Sequence, residues 1–325
     1  MLEDLHARRR NHLLWFGSLL ALLLVIVLVL GAMIGAERID LNVLNEQQRS
    51  ILFDIRLPRV FLAACVGASL AAAGAGLQAL LRNPLAEPYL LGVSNGAALG
   101  TMLAFVLFDN VEFSRPLLAF AGAVVSTVVV YQMAKGRAGM TVERLVLSGV
   151  IVTTFLSSVI VLFTSLLDAA KLRSFTFWLL GDLSQATKNG AYLCLFAAMI
   201  GTTILASQAR ALNLMMIGER DALDFGVEVS RVRLLVFGAG ALLVGASVAA
   251  SGSVGYVGLI VPHLVRMATG SDNRSVIPFS AFAGASFVVL ADMIARTMIA
   301  PRELPVGAIT ALVGAPLFIY LLRRS

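Results

Sequence analysis

Nine stretches of this 325-residue chain run for 17 residues or more without an Asp, Glu, Lys or Arg, and no other feature constrains its fold so tightly. They are 13–36, 60–81, 88–108, 116–134, 145–167, 189–209, 234–265, 275–291 and 304–322. A helix crosses a hydrocarbon core of about 30 Å with roughly 17 to 25 apolar residues, so each stretch is long enough to be a crossing. The seventh, at 32 residues, is too long for one helix. It is interrupted by Gly252, Ser253, Val254 and Gly255, a flexible break at which the chain can reverse. The reading is an all-α polytopic membrane protein with ten transmembrane helices, folded as a single domain over residues 1–325.

The basic residues test the count independently, because cytoplasmic loops carry an excess of Lys and Arg. Ten crossings place both termini on one side, so Arg8, Arg9 and Arg10 share the cytoplasm with Arg323 and Arg324. Loop by loop, that side holds 15 Lys and Arg against 9 Asp and Glu, and the outer side 10 against 10. The whole net charge of +6 thus falls on one face. With only 14% charged residues, against about a quarter in soluble domains, the chain's basic excess points to a membrane and not to nucleic acid. The first stretch is longer than the 7 to 15 residues usual for a signal-peptide core and lacks an A-x-A site before Glu37, so it is read as a crossing. Ser174 to Gly181, with Trp178, is too short to span and is placed at the outer interface or partway into the membrane. Cys65 and Cys194 lie in apolar runs without metal-ligand spacing and read as small core residues.

Residues 67–74 (GASLAAAG) resemble residues 245–252 (GASVAASG), in helices that run in opposite directions. Two readings stand: an inverted repeat of helices 2–5 and 7–10, of the kind that lets half-bundles rock about a midplane, or parallel use of small residues for close packing. Gly96 with Gly100, and Gly252, Gly255 and Gly258, mark close backbone contacts.

No energy source is legible within the chain. It has three lysines, Lys135, Lys171 and Lys188, none following a glycine, which leaves no Walker-type phosphate loop. Asp292 and Arg296 lie one helical turn apart and are expected to pair with each other. His263 follows Pro262 and reads as a packed, hydrogen-bonded histidine. Energy is expected from a partner, docked at the longest cytoplasmic loop, about 210–230. There Leu212, Leu214 and Met215 lead to Gly218, and Glu219 opens a second short helix through Ala222 to Phe225 and Gly226. Two short apolar helices joined at a glycine can form a rigid knob for a partner's groove, or one helix lying on lipid.

Residues 83–97 (NPLAEPYLLGVSNGA) resemble the signature of the FecCD-type permeases, importers of iron siderophores, haem and vitamin B12. Residues 56–59 (RLPR), the 210–226 loop, 258–263 (GLIVPH) and 303–307 (ELPVG) match in order and spacing, so the likeness covers nearly the whole chain, and the vitamin B12 branch is a close likeness. The resemblance implies a permease subunit of the bacterial inner membrane that is not itself an enzyme. It implies a homodimer with the path between subunits, two cytoplasmic ATPases carrying ATP and Mg, and a periplasmic binding protein. It recasts the knob as the coupling helices, and assigns binding-protein docking to Arg56, Arg59 and Arg296. Arginine suits that task, since its planar fork grips a carboxylate and keeps its charge. The cytoplasmic gate maps to Asn83 and Leu85 and to Val142 and Glu143, where the B12 branch has small hydroxyl residues. The cargo expected is an iron chelate, siderophore or haem, with a corrinoid as alternative. The rival class is an ion-coupled secondary transporter dependent on Asp292, Glu143 or His263.

Overall fold

The computed structural model describes residues 2–35, 37, 45–108, 114–136 and 139–323. Helix α1 (Leu2–Met33) is followed by α2 (Glu46–Ser50), which continues through a π-helical turn, Ile51–Arg56, into α3 (Leu57–Leu80). A bent segment with a short turn at Pro88–Leu91 leads to α4 (Val93–Leu107), then α5 (Ser114–Ala134). A small antiparallel pair, β1 (Lys135–Gly136) and β2 (Gly139–Met140), connects to α6 (Val142–Thr164). Then come α7 (Ala169–Leu179), α8 (Lys188–Ser207), α9 (Ala209–Ile217), α10 (Glu219–Asp224) and α11 (Val229–Ser251). The chain ends with α12 (Val257–Thr269), α13 (Asn273–Thr297) and α14 (Val306–Leu322).

Each charge-free stretch corresponds to one helix, except the seventh, which forms α11 and α12 parted at Gly252 as expected. Among the described residues, seven helices are long and apolar enough to cross a membrane, and three apolar ones, α4, α12 and α14, are shorter. Outward faces carry large apolar side chains such as Trp15, Phe155 and Leu193, all more than 60% exposed, as lipid contact requires. The chain is a multi-pass, mostly helical membrane protein.

The centre is α3, which is buried along nearly its whole length against α13, α11, α8 and α12. Lipid removes the hydrophobic drive between helices, so their association relies on close packing of small residues. A Cβ on Gly67 would stand 2.1 Å from the carbonyl oxygen of Gly284, and one on Gly74 would stand 1.9 Å from that of Gly258. Gly96 and Gly100 meet α5 as closely, whereas Gly255 has only a Glu87 carboxylate oxygen near, at 3.9 Å, and makes no close backbone contact. Cys65 and Cys194 are buried free thiols.

Non-helical backbone is tolerated at membrane depth only where protein covers it, and here two bent segments cover each other. Tyr89 Oη accepts from Val254 N and donates to Val254 O, both at 3.0 Å, and Glu87 Oε1 accepts from Tyr256 N at 3.1 Å. The 174–181 segment, within and just after α7, closes the same reversal. Asp182 N donates to Ser251 O at 2.8 Å and Val306 N to Gly181 O at 2.9 Å.

Candidate functional site

Three groups of residues lie apart from the general packing. The first gathers Arg56, just before α3, Arg59 in its first turn and Arg296 in the last turn of α13. Arg59 Nε and Nη2 both reach Asp292 Oδ1 at 2.9 Å, while its Nη1 lies 3.0 and 2.8 Å from the two carboxylate oxygens of Glu303. Arg296 Nε stands 3.5 Å from Asp292 Oδ2, and its guanidinium donates to the Gly31 carbonyl. The expected Asp292–Arg296 pair is therefore present but loose, and the closer partner is Arg59. The reason is geometric: an i,i+4 arginine reaches its neighbour along the helix, while Arg59 faces it from the adjoining one. Arg56 donates to Met33 O at 2.9 Å and to Glu37 O. The three arginines assigned to docking thus form one cluster, but their side chains turn inward and the residues are only 5–6% exposed. Glu303, with 44% of its side chain exposed, is the cluster's outward face.

The second group is the helical knob. Leu212, Met215 and Ala222 are buried and Leu214 is half-buried, so these anchor the knob to the bundle. Facing outward are Ile217, Leu223 and Phe225, which are 75%, 58% and 74% exposed. Gly218 is extended and makes the corner between α9 and α10, and Gly226 closes α10 at φ 78°. Glu219 accepts from Arg82 at 3.1 Å and from Arg233, which fastens the knob to the segment after α3 and to the start of α11. Asn213 donates to Asp272 Oδ1 at 2.7 Å and accepts from Asn273 N and Nδ2 at 2.9 Å, a second tie to the start of α13.

The third group is the bend between α3 and α4. Asn83 Oδ1 accepts from Leu85 N at 2.8 Å, and both residues are exposed. Thr141 caps α6, Val142 is half-buried, and Glu143 is exposed within electrostatic range of Arg233 and Arg82. Of the two arginines near Glu143 in sequence, Arg144 lies against Gly136 and Arg137 falls outside the described residues. Beside this bend, Gln78 donates to the carbonyls of Gly258 and Leu259 at 3.2 and 3.0 Å, and Arg266 donates to Gln78 and to Ala75 O.

Residues 19–324 match the family model described as the FecCD transport family. The chain belongs to the FecCD transport family. This FecCD chain is 41% identical to the cobalamin import system permease protein BtuC of Halobacterium salinarum, over 86% of this chain and 74% of that protein. It is 38% identical to the hemin transport system permease protein HmuU of Yersinia pestis, over 94% of each. A solved structure described as an inward-facing conformation of a metal-chelate type ABC transporter superposes with a TM-score of 0.86 at 34% identity, covering 94% of this chain and 98% of that one. The FecCD chain is therefore an ABC importer permease subunit.

Sequence reading missed several residues of this FecCD chain. Arg59 and Asp292 are 233 positions apart, so nothing local announces their contact. Glu303 was legible only as part of a motif. Ile217 and Leu223 belong to the knob's exposed face, which an amphipathic period along α9 and α10 can indicate once one face is known to be buried.

Proposed function

We propose that this chain is the membrane-spanning subunit of an ATP-driven importer that moves an iron chelate, siderophore or haem, from a periplasmic binding protein into the cytoplasm. A corrinoid is the alternative cargo, favoured by the likeness to a cobalamin permease. The chain works in the bacterial inner membrane as a homodimer with two cytoplasmic ATPases that carry ATP and Mg, and contributes no catalytic group of its own. It crosses ten times with both termini inside, the three shorter helices completing crossings with the bent segments that precede them.

The observation that carries this reading is the knob: Ile217, Leu223 and Phe225 present an apolar face on a support pinned by Glu219 and Asn213 at both ends. A partner that pushes on this face moves the α3–α4 bend and the starts of α11 and α13 together. Asn83, Leu85, Val142 and Glu143 at that end act as the cytoplasmic gate, and Arg56, Arg59 and Arg296 mark the docking end for the binding protein. An inverted repeat is supported by the packing: α3 lies on α13, α12 and α11, and α11 lies on α5, α4 and α3. Exchanging α3, α4, α5 and α6 for α11, α12, α13 and α14 maps one set of contacts onto the other.

The test is Ile217→Glu with Phe225→Glu. Both side chains are exposed, so the folded chain is expected to keep its unfolding temperature. Loss of one hot-spot contact costs about 2 kcal/mol, so ATPase affinity should fall about thirtyfold or more and transport with it. Undiminished copurification with the ATPase would refute the knob as the coupling surface.

A further inference from the structure

A cleft of about 690 Å³ lies between α1 and the first half of α13, and none of the roles above uses it. Its rim is charged: among the described residues, Arg9, Arg10 and Arg274 line it together with one carboxylate, Asp272. Its walls are apolar, formed by Leu13, Leu14 and Ala21 of α1 and by Pro278, Phe279 and Phe282 of α13. The floor is close-packed, because a Cβ on Gly17 would stand 2.9 Å from the ring of Phe279.

Chemistry and depth are ordered together along this cleft. From Arg10 to Ala21 the helix rises about 16 Å, and half of a hydrocarbon core is about 15 Å. Charged groups sit at the end nearest the N-terminus, and the rest is mostly apolar, Ser18 being the one polar side chain lining it deeper along α1. Leu14 is 63% exposed and Phe282 41%, so the cleft opens sideways to the bilayer. Among the described residues the rim has three guanidinium groups against one carboxylate, and that carboxylate is already engaged. Its Oδ1 accepts from Asn213 at 2.7 Å and from Arg274 N at 3.1 Å, and its Oδ2 lies 4.0 Å from Arg9 Nη2. Burial pushes the Asp272 carboxyl up, and the bonds from Asn213 and the Arg274 N–H outweigh it and hold it below its usual range. The described rim residues therefore keep an excess of positive charge.

We propose that this cleft binds an anionic phospholipid, its phosphate held by Arg9, Arg10 and Arg274 and one acyl chain lying between α1 and α13. A guanidinium fork matches phosphate geometry, and basic pockets between transmembrane helices on the cytoplasmic side are where anionic headgroups bind. The apolar walls select a lipid over a free anion. The site also adjoins the joint that seats α9, since Asp272 holds Asn213. Its assignment to the inner leaflet rests on the orientation proposed above, whereas binding measured in micelles does not.

The experiment is native mass spectrometry of the full chain in detergent, titrated with phosphatidylglycerol or with phosphatidylcholine of the same acyl chains. Phosphatidylglycerol is expected to bind preferentially. Each arginine near a headgroup contributes about fivefold, so Arg9→Gln with Arg10→Gln and Arg274→Gln should weaken it about a hundredfold. Ala21→Phe fills the apolar wall without touching a charge and should weaken both lipids alike. Millimolar inorganic phosphate should not displace the lipid. If the triple variant does not remain monodisperse, the exposed Arg274→Gln alone is read, with about a fivefold loss expected. Equal retention of the two lipids, undiminished binding in the arginine variants, or displacement by inorganic phosphate would each overturn the proposal.

Discussion

Replacing Asp292 with alanine is expected to destabilise this protein by about 3–5 kcal/mol, the range for removing one partner of a buried ion pair. Asp292 is fully buried, and it is the anion that Arg59 meets at 2.9 Å and Arg296 at 3.5 Å. Without it two guanidinium groups remain in a site that excludes water, and Glu303 is paired with just one of them, Arg59. The same arginine supplies the control. Glu303 is 44% exposed at its side chain, so Glu303→Gln should cost no more than about 1 kcal/mol, the worth of a solvent-exposed pair. Chemical unfolding in mixed micelles reads both variants. A loss below 1 kcal/mol for Asp292→Ala would mean that water or headgroups reach the arginines and that the cluster is not a sealed one.

The second large effect is expected from a single methyl group. Gly74→Ala puts a Cβ 1.9 Å from the Gly258 carbonyl oxygen, which is backbone and cannot swing aside. Helices α3 and α12 must separate, and overpacking of this kind costs about 1–3 kcal/mol or more. Gly238 in α11 offers the opposite case, because nothing lies within 4 Å of the position its Cβ would take. There the same substitution should stabilise by up to about 1 kcal/mol through helix propensity alone. Opposite signs in thermal unfolding would place the effect in helix contact, and equal signs would place it in the backbone itself.

Much of the fold was legible because lipid leaves few solutions for a charge-free stretch. That each charge-free stretch is helical, and that the chain breaks at Gly252, follow from where charges and glycines fall. Hydropathy did not show that the 88–108 stretch yields a helix only over Val93–Leu107, because Pro88–Leu91 is apolar yet bent. Nor does an apolar composition say which side of the knob is buried: Leu212 and Ile217 are equally hydrophobic, and one is sealed while the other is 75% exposed. The Arg59–Asp292 contact was hidden for another reason. It joins distant segments, and the nearer i,i+4 candidate, Arg296, satisfied the local rule.

The central claim is that the chain is a passive scaffold moved by a partner's nucleotide cycle. The direct measurement is cargo accumulation in proteoliposomes, comparing the chain alone under a proton or sodium gradient with the chain joined by its ATPase and binding protein. The chain alone should accumulate nothing, and the complex should concentrate cargo only with ATP and regardless of ionophores. Accumulation by the isolated chain, driven by an ion gradient and lost with Asp292, Glu143 or His263, would contradict the account.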